Sequence, residues 1–116
     1  MRHGKKLAKL GRPTDQRLAL LRGLVTSLFL HKEIKTTDAR AKAAKRLAEK
    51  MVALAKRGDL HGRRQIFRLI RDEVALKNVY DVAAANASRP GGVTRITKVA
   101  LRRGDGAVVS SLELLA

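Results

Sequence analysis

The sequence predicts an α+β fold in which helices pack on one side of a small three-stranded sheet. Three observations predict it. Residues 36–58 (TTDARAKAAKRLAEKMVALAKRG) repeat apolar side chains at helical spacing. Residues 93–101 (VTRITKVAL) and 107–115 (AVVSSLELL) change to β-branched runs around the turn Arg102-Arg103-Gly104-Asp105-Gly106. The stretch Asn86 to Gly92 (NASRPGG) separates the two regimes and is a loop by composition. Two strands alone are marginal, so the β-prone segment Glu33-Ile34-Lys35-Thr36 is expected to supply the third. The order becomes helix, strand, three helices, two strands. A basic tail over residues 1–13 precedes a single domain over 14–116.

In the tail (MRHGKKLAKLGRP), Arg2, Lys5, Lys6, Lys9 and Arg12 are accompanied by no acid. Gly4, Gly11 and Pro13 oppose helix nucleation, so the segment is expected to order only against phosphates. Thr14 is the expected cap of a first helix ending near Lys32, with Asp15 in its first turn. Leu18, Leu21, Leu24, Val25 and Leu28 share its inward side, leaving Arg17 and Arg22 outward. Gly23, roughly 1 kcal/mol worse than Ala in a helix, is expected to mark a close helix–helix approach.

The central helix puts Ala44, Leu47, Ala48, Met51, Leu54 and Ala55 on one side. Lys42, Lys45, Arg46, Lys50, Lys56 and Arg57 fall on the other, with Glu49 as the only acid among them. Thr37 is its expected cap and Gly58 its left-handed stop. Asp59 then caps a helix reaching about Arg71, with Leu60, Ile66, Phe67 and Ile70 inward and Arg63, Arg64 and Arg68 outward. Asp72 or Glu73 opens the last helix, where Leu76, Val79, Tyr80 and Ala83 recur. In the final strand, Val108, Leu112 and Leu114 share a face; the faces of the preceding strand are mixed.

The 116 residues carry 26 Lys+Arg against 10 Asp+Glu, a net charge of +16. Residues 1–57 hold net +12 and residues 58–116 net +4. A charged face is usually just solvated, but charges of a single sign oppose compaction and call for a polyanionic partner. Nucleic acid comes first, an anionic membrane surface second. With no cysteine, disulfides, thiolate zinc sites and cysteine nucleophiles are all excluded. No apolar run approaches the ~20 residues of a membrane span. The basic start lacks the apolar stretch and cleavage site of a signal peptide, so a cytoplasmic location is expected.

Catalytic and metal-binding patterns are missing as well. His3, His31 and His61 show no zinc spacing. Gly104-Asp105-Gly106 lacks the other carboxylates of a calcium loop, and Gly91-Gly92 precedes a strand rather than a phosphate-cradling helix. Ser110-Ser111 has no recognisable base. No enzyme activity, cofactor, metal or small-molecule substrate is expected.

What is present is cationic surface. Arginine and lysine hold phosphates by charge-assisted hydrogen bonds, positioning a nucleic acid without reading its bases. The body residues expected to do so are Arg40, Lys42, Arg46, Arg63, Arg64, Arg89, Arg95 and Lys98. Gly91-Gly92 leaves bare backbone between Arg89 and Arg95 for a close sugar-phosphate approach. The aromatics, Phe29, Phe67 and Tyr80, are assigned to the core, so stacking platforms are absent and the expected ligand is a folded RNA recognised by shape. The alternative is a small DNA-packaging or regulatory DNA-binding protein, for which no dimer interface or recognition helix is evident.

Five segments in order carry a resemblance: Met1-Arg2-His3; Ile34-Lys35-Thr36-Thr37 leading to Arg40-Ala41-Lys42; Lys56-Arg57-Gly58-Asp59-Leu60; Arg89-Pro90-Gly91-Gly92-Val93-Thr94-Arg95-Ile96; and Arg103-Gly104-Asp105-Gly106. The chain resembles the bacterial large-subunit ribosomal protein family numbered seventeen over essentially its whole length. The resemblance implies the same helix, strand, helices, two-strand order. It implies a structural part of a ribonucleoprotein that carries out translation, binding large-subunit rRNA beside other large-subunit proteins near the peptide-exit side. The matched segments and the turn that they reach add His3, Thr36, Arg102 and Arg103 to the expected RNA contacts. Val93 stands where tyrosine is common in the family.

Overall fold

The computed structural model describes residues 8–115. It contains α1 (Thr14–His31), β1 (Glu33–Thr37), α2 (Asp38–Arg57), α3 (Leu60–Leu69), α4 (Glu73–Ala85), β2 (Thr94–Leu101) and β3 (Val108–Leu114). The sheet is antiparallel in the order β1-β3-β2. The segment around Ile34 is thus the third strand, and the α+β architecture is as expected.

Register explains the sheet's faces. Ile34, Leu112 and Ile96 align across the three strands, and Leu112 is fully buried against the helices. The next inward row is Thr36, Ser110 and Lys98. Buried Ser110 donates its hydroxyl to Asp38 at 2.9 Å, so the polar row is satisfied at the start of α2. A bulge between Lys98 and Ala100 shifts the outer end of β2. Most of β2 is exposed, and only Thr94 is buried within it.

α2 lies over the sheet and touches every other element. Its buried residues are Ala41, Ala44, Ala48, Met51, Val52, Leu54 and Ala55; the small side chains let neighbours approach from several sides. Phe29, Leu28, Val25, Ile66, Ile70, Val79 and Val93 complete the core. Leu47, assigned to that core, is only half-buried at its edge.

Caps and turns divide between expectation and correction. Asp59 accepts from the Gly62 N–H at 2.8 Å and Asp72 from the Ala75 N–H at 3.0 Å, each capping its helix as expected. Gly58 takes φ +69° at the end of α2. Thr14 does not cap α1; Pro13 occupies that position and Thr14 is already helical. Thr37 sits at the N-cap of α2 without a side-chain capping bond.

Further expectations fail for reasons of packing, and Leu18, expected inward on α1, is exposed. Arg17 is inward, not outward: it lies one turn before Leu21 on the buried side of α1, with its Nε without a partner among the described residues. Leu60 and Phe67 are exposed, because α3 uses only Gly62, Ile66 and the following Ile70 to reach the core. The close approach occurs at Gly62, not Gly23. A Cβ at Gly62 would stand 3.0 Å from the Leu54 carbonyl and 2.7 Å from the Asp59 carboxylate; at Gly23 it would meet nothing within 4 Å.

Opposite outcomes follow for the same substitution. Gly62→Ala is expected to destabilise by about 1–3 kcal/mol through overpacking, whereas Gly23→Ala should stabilise by up to about 1 kcal/mol; urea melts of the two variants check both signs.

Acid sensitivity has a defined window. Lys42, then Ser110, holds Asp38 below its ordinary value of 3.8, and the Gly62 amide does the same for Asp59. Arg102 and the Ala107 amide lower Asp105 to about 2. Folded-state values below the unfolded ones give stability that is present above pH ~4 and lost on acidification toward ~2. The urea midpoint should therefore be insensitive to these groups between about pH 5 and 7, and Asp105→Asn should flatten part of the fall below about pH 4.

Candidate nucleic-acid interface

The expected site residues do not form one patch; the topology sorts them onto the two ends of α2. At 1.5 Å per residue this helix separates its ends by ~30 Å. Arg2, His3, Lys5 and Lys6 lie outside the described residues. Lys9 and Arg12 are exposed in a turn in which the Arg12 N–H donates to the Lys9 carbonyl at 3.2 Å.

At the N-terminal end of α2, Thr37 and Ala100 both pair with Val109, which brings the β2–β3 turn beside the helix start. Half-buried Arg40, exposed Lys42 and exposed Lys98 gather here with Arg102 and Arg103. Lys42 binds Asp38 at 3.0 Å, and Lys98 adds a weaker attraction to the same carboxylate. Thr36 is half-buried in the Ser110 row rather than on the open surface.

The turn itself is held by Arg102. Its Nε donates to Asp105 at 3.1 Å and its Nη2 donates to the other carboxylate oxygen. This forked pair raises the Arg102 pKa and closes the turn. Arg103 is exposed and has no carboxylate partner among the described residues. The two neighbouring arginines therefore have different work.

At the other end, the 86–92 loop is fastened rather than free. Buried Asn86 donates to the Val82 carbonyl at 2.9 Å and to the Leu115 carbonyl at 2.6 Å. The Lys56 ammonium donates to the Arg89 carbonyl, tying the loop to the last turn of α2. The Arg89 side chain stays exposed beside Gly91 and Gly92. Val93 is buried, which removes any stacking role at that position. Arg95 faces the outer side of the sheet and pairs with Glu113 at 3.4 Å. Arg63 and Arg64 are exposed on α3, without a carboxylate partner among the described residues.

Between the ends, Lys42, Arg46 and Lys50 follow one another at four-residue spacing along α2. They border a groove of about 680 Å³ floored by Leu18, Leu21, Ala43, Leu47 and Leu69. Beside Lys50 a second depression is bordered by Arg22 of α1 and Arg68 of α3. Arg22, Lys50 and Arg68 are absent from the residues singled out as contacts by sequence. The i, i+4, i+8 series could have included Lys50; Arg22 and Arg68 converge only through tertiary packing.

The arrangement can hold phosphates along a track. Among the described residues no group of three His, Cys, Asp or Glu could hold a metal ion. No described helix is long and apolar enough to cross a membrane.

Comparison with known proteins agrees with the resemblance in the five sequence segments. Residues 20–115 match the family model described as Ribosomal protein L17. The large ribosomal subunit protein bL17 of Clostridium perfringens is 57% identical over 108 residues, 92% of this chain and 96% of that protein. Its counterpart in Desulforapulum autotrophicum is 53% identical over 116 residues, 99% and 97% of the two chains. That of Clostridium botulinum is 55% identical over 108 residues, 92% and 96%. The chain belongs to the ribosomal protein L17 family.

Proposed function

We propose that this protein braces folded large-subunit rRNA, laying its cationic track across converging sugar-phosphate backbones. As a member of its family the chain is a structural protein of the large ribosomal subunit, and it works in the cytoplasm. Rather than catalysing a reaction, it neutralises phosphate repulsion where RNA segments crowd together. The single observation that carries the reading is the row Lys42, Arg46 and Lys50 along ~12 Å of α2, with further cationic groups at both ends of this ~30 Å helix. A span of that length suits contacts to more than one RNA segment.

The proposal extends to residues 1–13 as a basic RNA-binding tail, since Lys9 and Arg12 lead into the same end of α2 as Arg40 and Lys42. Ala8 already borders the groove beside Lys42. We place the particle neighbours among the large-subunit proteins of the peptide-exit side, as the family resemblance implies. Crosslinking of assembled subunits tests that placement through the identity of the neighbours captured.

Binding to protein-free large-subunit rRNA should fall roughly 10³–10⁵-fold between 50 and 200 mM salt if about 6–10 phosphates are engaged. A flat titration contradicts the mechanism, and preference for duplex DNA over folded rRNA supports the DNA-binding alternative instead. Arg103→Ala should reduce the log–log salt slope by about 0.9; Arg102→Ala should change it less, because Asp105 already occupies that guanidinium.

A further inference from the structure

The outer face of α3 combines two features that water alone does not favour. At 100° per residue, Leu60, Arg63, Arg64 and Phe67 fall within an arc of about 100°. Phe67 is 53% exposed and Leu60 63% exposed, although both belong to a domain with a packed core. Arg63 and Arg64 stand one turn before Phe67, so their stems flank its ring on the same side of the helix. Neither has a carboxylate partner among the described residues, whereas Arg57, Arg95 and Arg102 each do. Beside this face, Gly58, Asp59, Leu60, Arg63 and Tyr80 border a depression of about 380 Å³, where the Asp59 carboxylate is already occupied by Arg57 and the Gly62 N–H.

Each candidate partner satisfies these features differently. A continuous RNA duplex offers phosphates to the arginines but keeps its base faces stacked away from the ring. An acidic protein segment could meet the charges, but it matches the exposed ring only where it also carries an aromatic side chain. An unpaired nucleotide presents both at once: a base face for the ring and phosphates on either side for the guanidiniums.

We propose that the outer face of α3 is a docking platform for an unpaired nucleotide of large-subunit rRNA, with Phe67 stacking on the base and Arg63 and Arg64 holding the adjoining phosphates. The proposal rests on the rRNA-binding function above and adds a point of local recognition to it. It also moves Phe67 from the core role expected by helical pattern to a contact role.

The test uses the full chain and protein-free large-subunit rRNA at one salt concentration. Phe67→Trp should bind as the parent does. Phe67→Leu and Phe67→Ala should each lose about 10-fold in affinity, the scale of one lost base–aromatic stack. The melting temperature of the free chain should fall only modestly, since Phe67 is about half exposed. Ultraviolet irradiation of the complex should leave a nucleotide adduct on Phe67, in the tryptic peptide Gln65–Arg68.

Parent-like affinity of the Leu and Ala variants, with adducts only on other peptides, overturns the platform while leaving salt-dependent rRNA binding intact. If those variants bind rRNA normally but are lost from assembled subunits, the face belongs to a protein partner and the proposal is likewise overturned. Absence of rRNA binding by the parent chain itself contradicts the function on which the platform rests.

Discussion

The small-residue face of α2 is the constraint on which the structure depends. Ala41, Ala44 and Ala48 are fully buried, with Val52 and Ala55 nearly so. Because these side chains are short, the sheet and the other helices can close around the helix. Larger residues there would push the neighbours outward and open the interior. Close packing on the inward side leaves the lysines and arginines of α2 on the surface that remains. Fold and charge display are therefore two consequences of one helix's periodicity.

That coupling gives the charged groups different duties. Lys56 fastens the 86–92 loop, Arg57 joins Asp59 at the α2–α3 junction, and Arg102 closes the hairpin turn. These cations hold the scaffold in shape. Arg63, Arg64, Arg89, Lys98 and Arg103 make no ion pair among the described residues and remain on the surface. Surface pairs contribute little to stability, so even Lys42 and Arg95 can exchange a carboxylate for a phosphate at small cost. A protein with only ten acids cannot neutralise itself, and the excess charge is directed outward.

The element order was legible because α2 and the final hairpin have unmistakably different periods, and because Asp59, Asp72 and Gly58 punctuate the helices. Local pattern failed where the answer lay in packing. α3 has apolar residues on both sides, and their spacing alone does not tell which side meets α2. The answer comes from Gly62, whose missing side chain admits the Leu54 backbone and turns Ile66 inward and Phe67 outward. Arg17 was misassigned for the opposite reason: its charge suggested solvent although its position continues the Leu21 face. On the candidate interface, the α2 series was readable from spacing alone. The convergence of Arg22 and Arg68 on the adjoining depression was not, since it requires α1 and α3 each to be packed against α2 first.

The central claim is that the cationic side of α2 faces RNA while its alanine side holds the fold together. Amine labelling with mass-spectrometric readout, on the free chain and in assembled large subunits, tests this most directly. Lys42 and Lys50 should react readily in the free chain, become protected in the subunit, and regain reactivity after ribonuclease digestion. Equal labelling of these two lysines in the free chain and in the intact subunit would contradict the account.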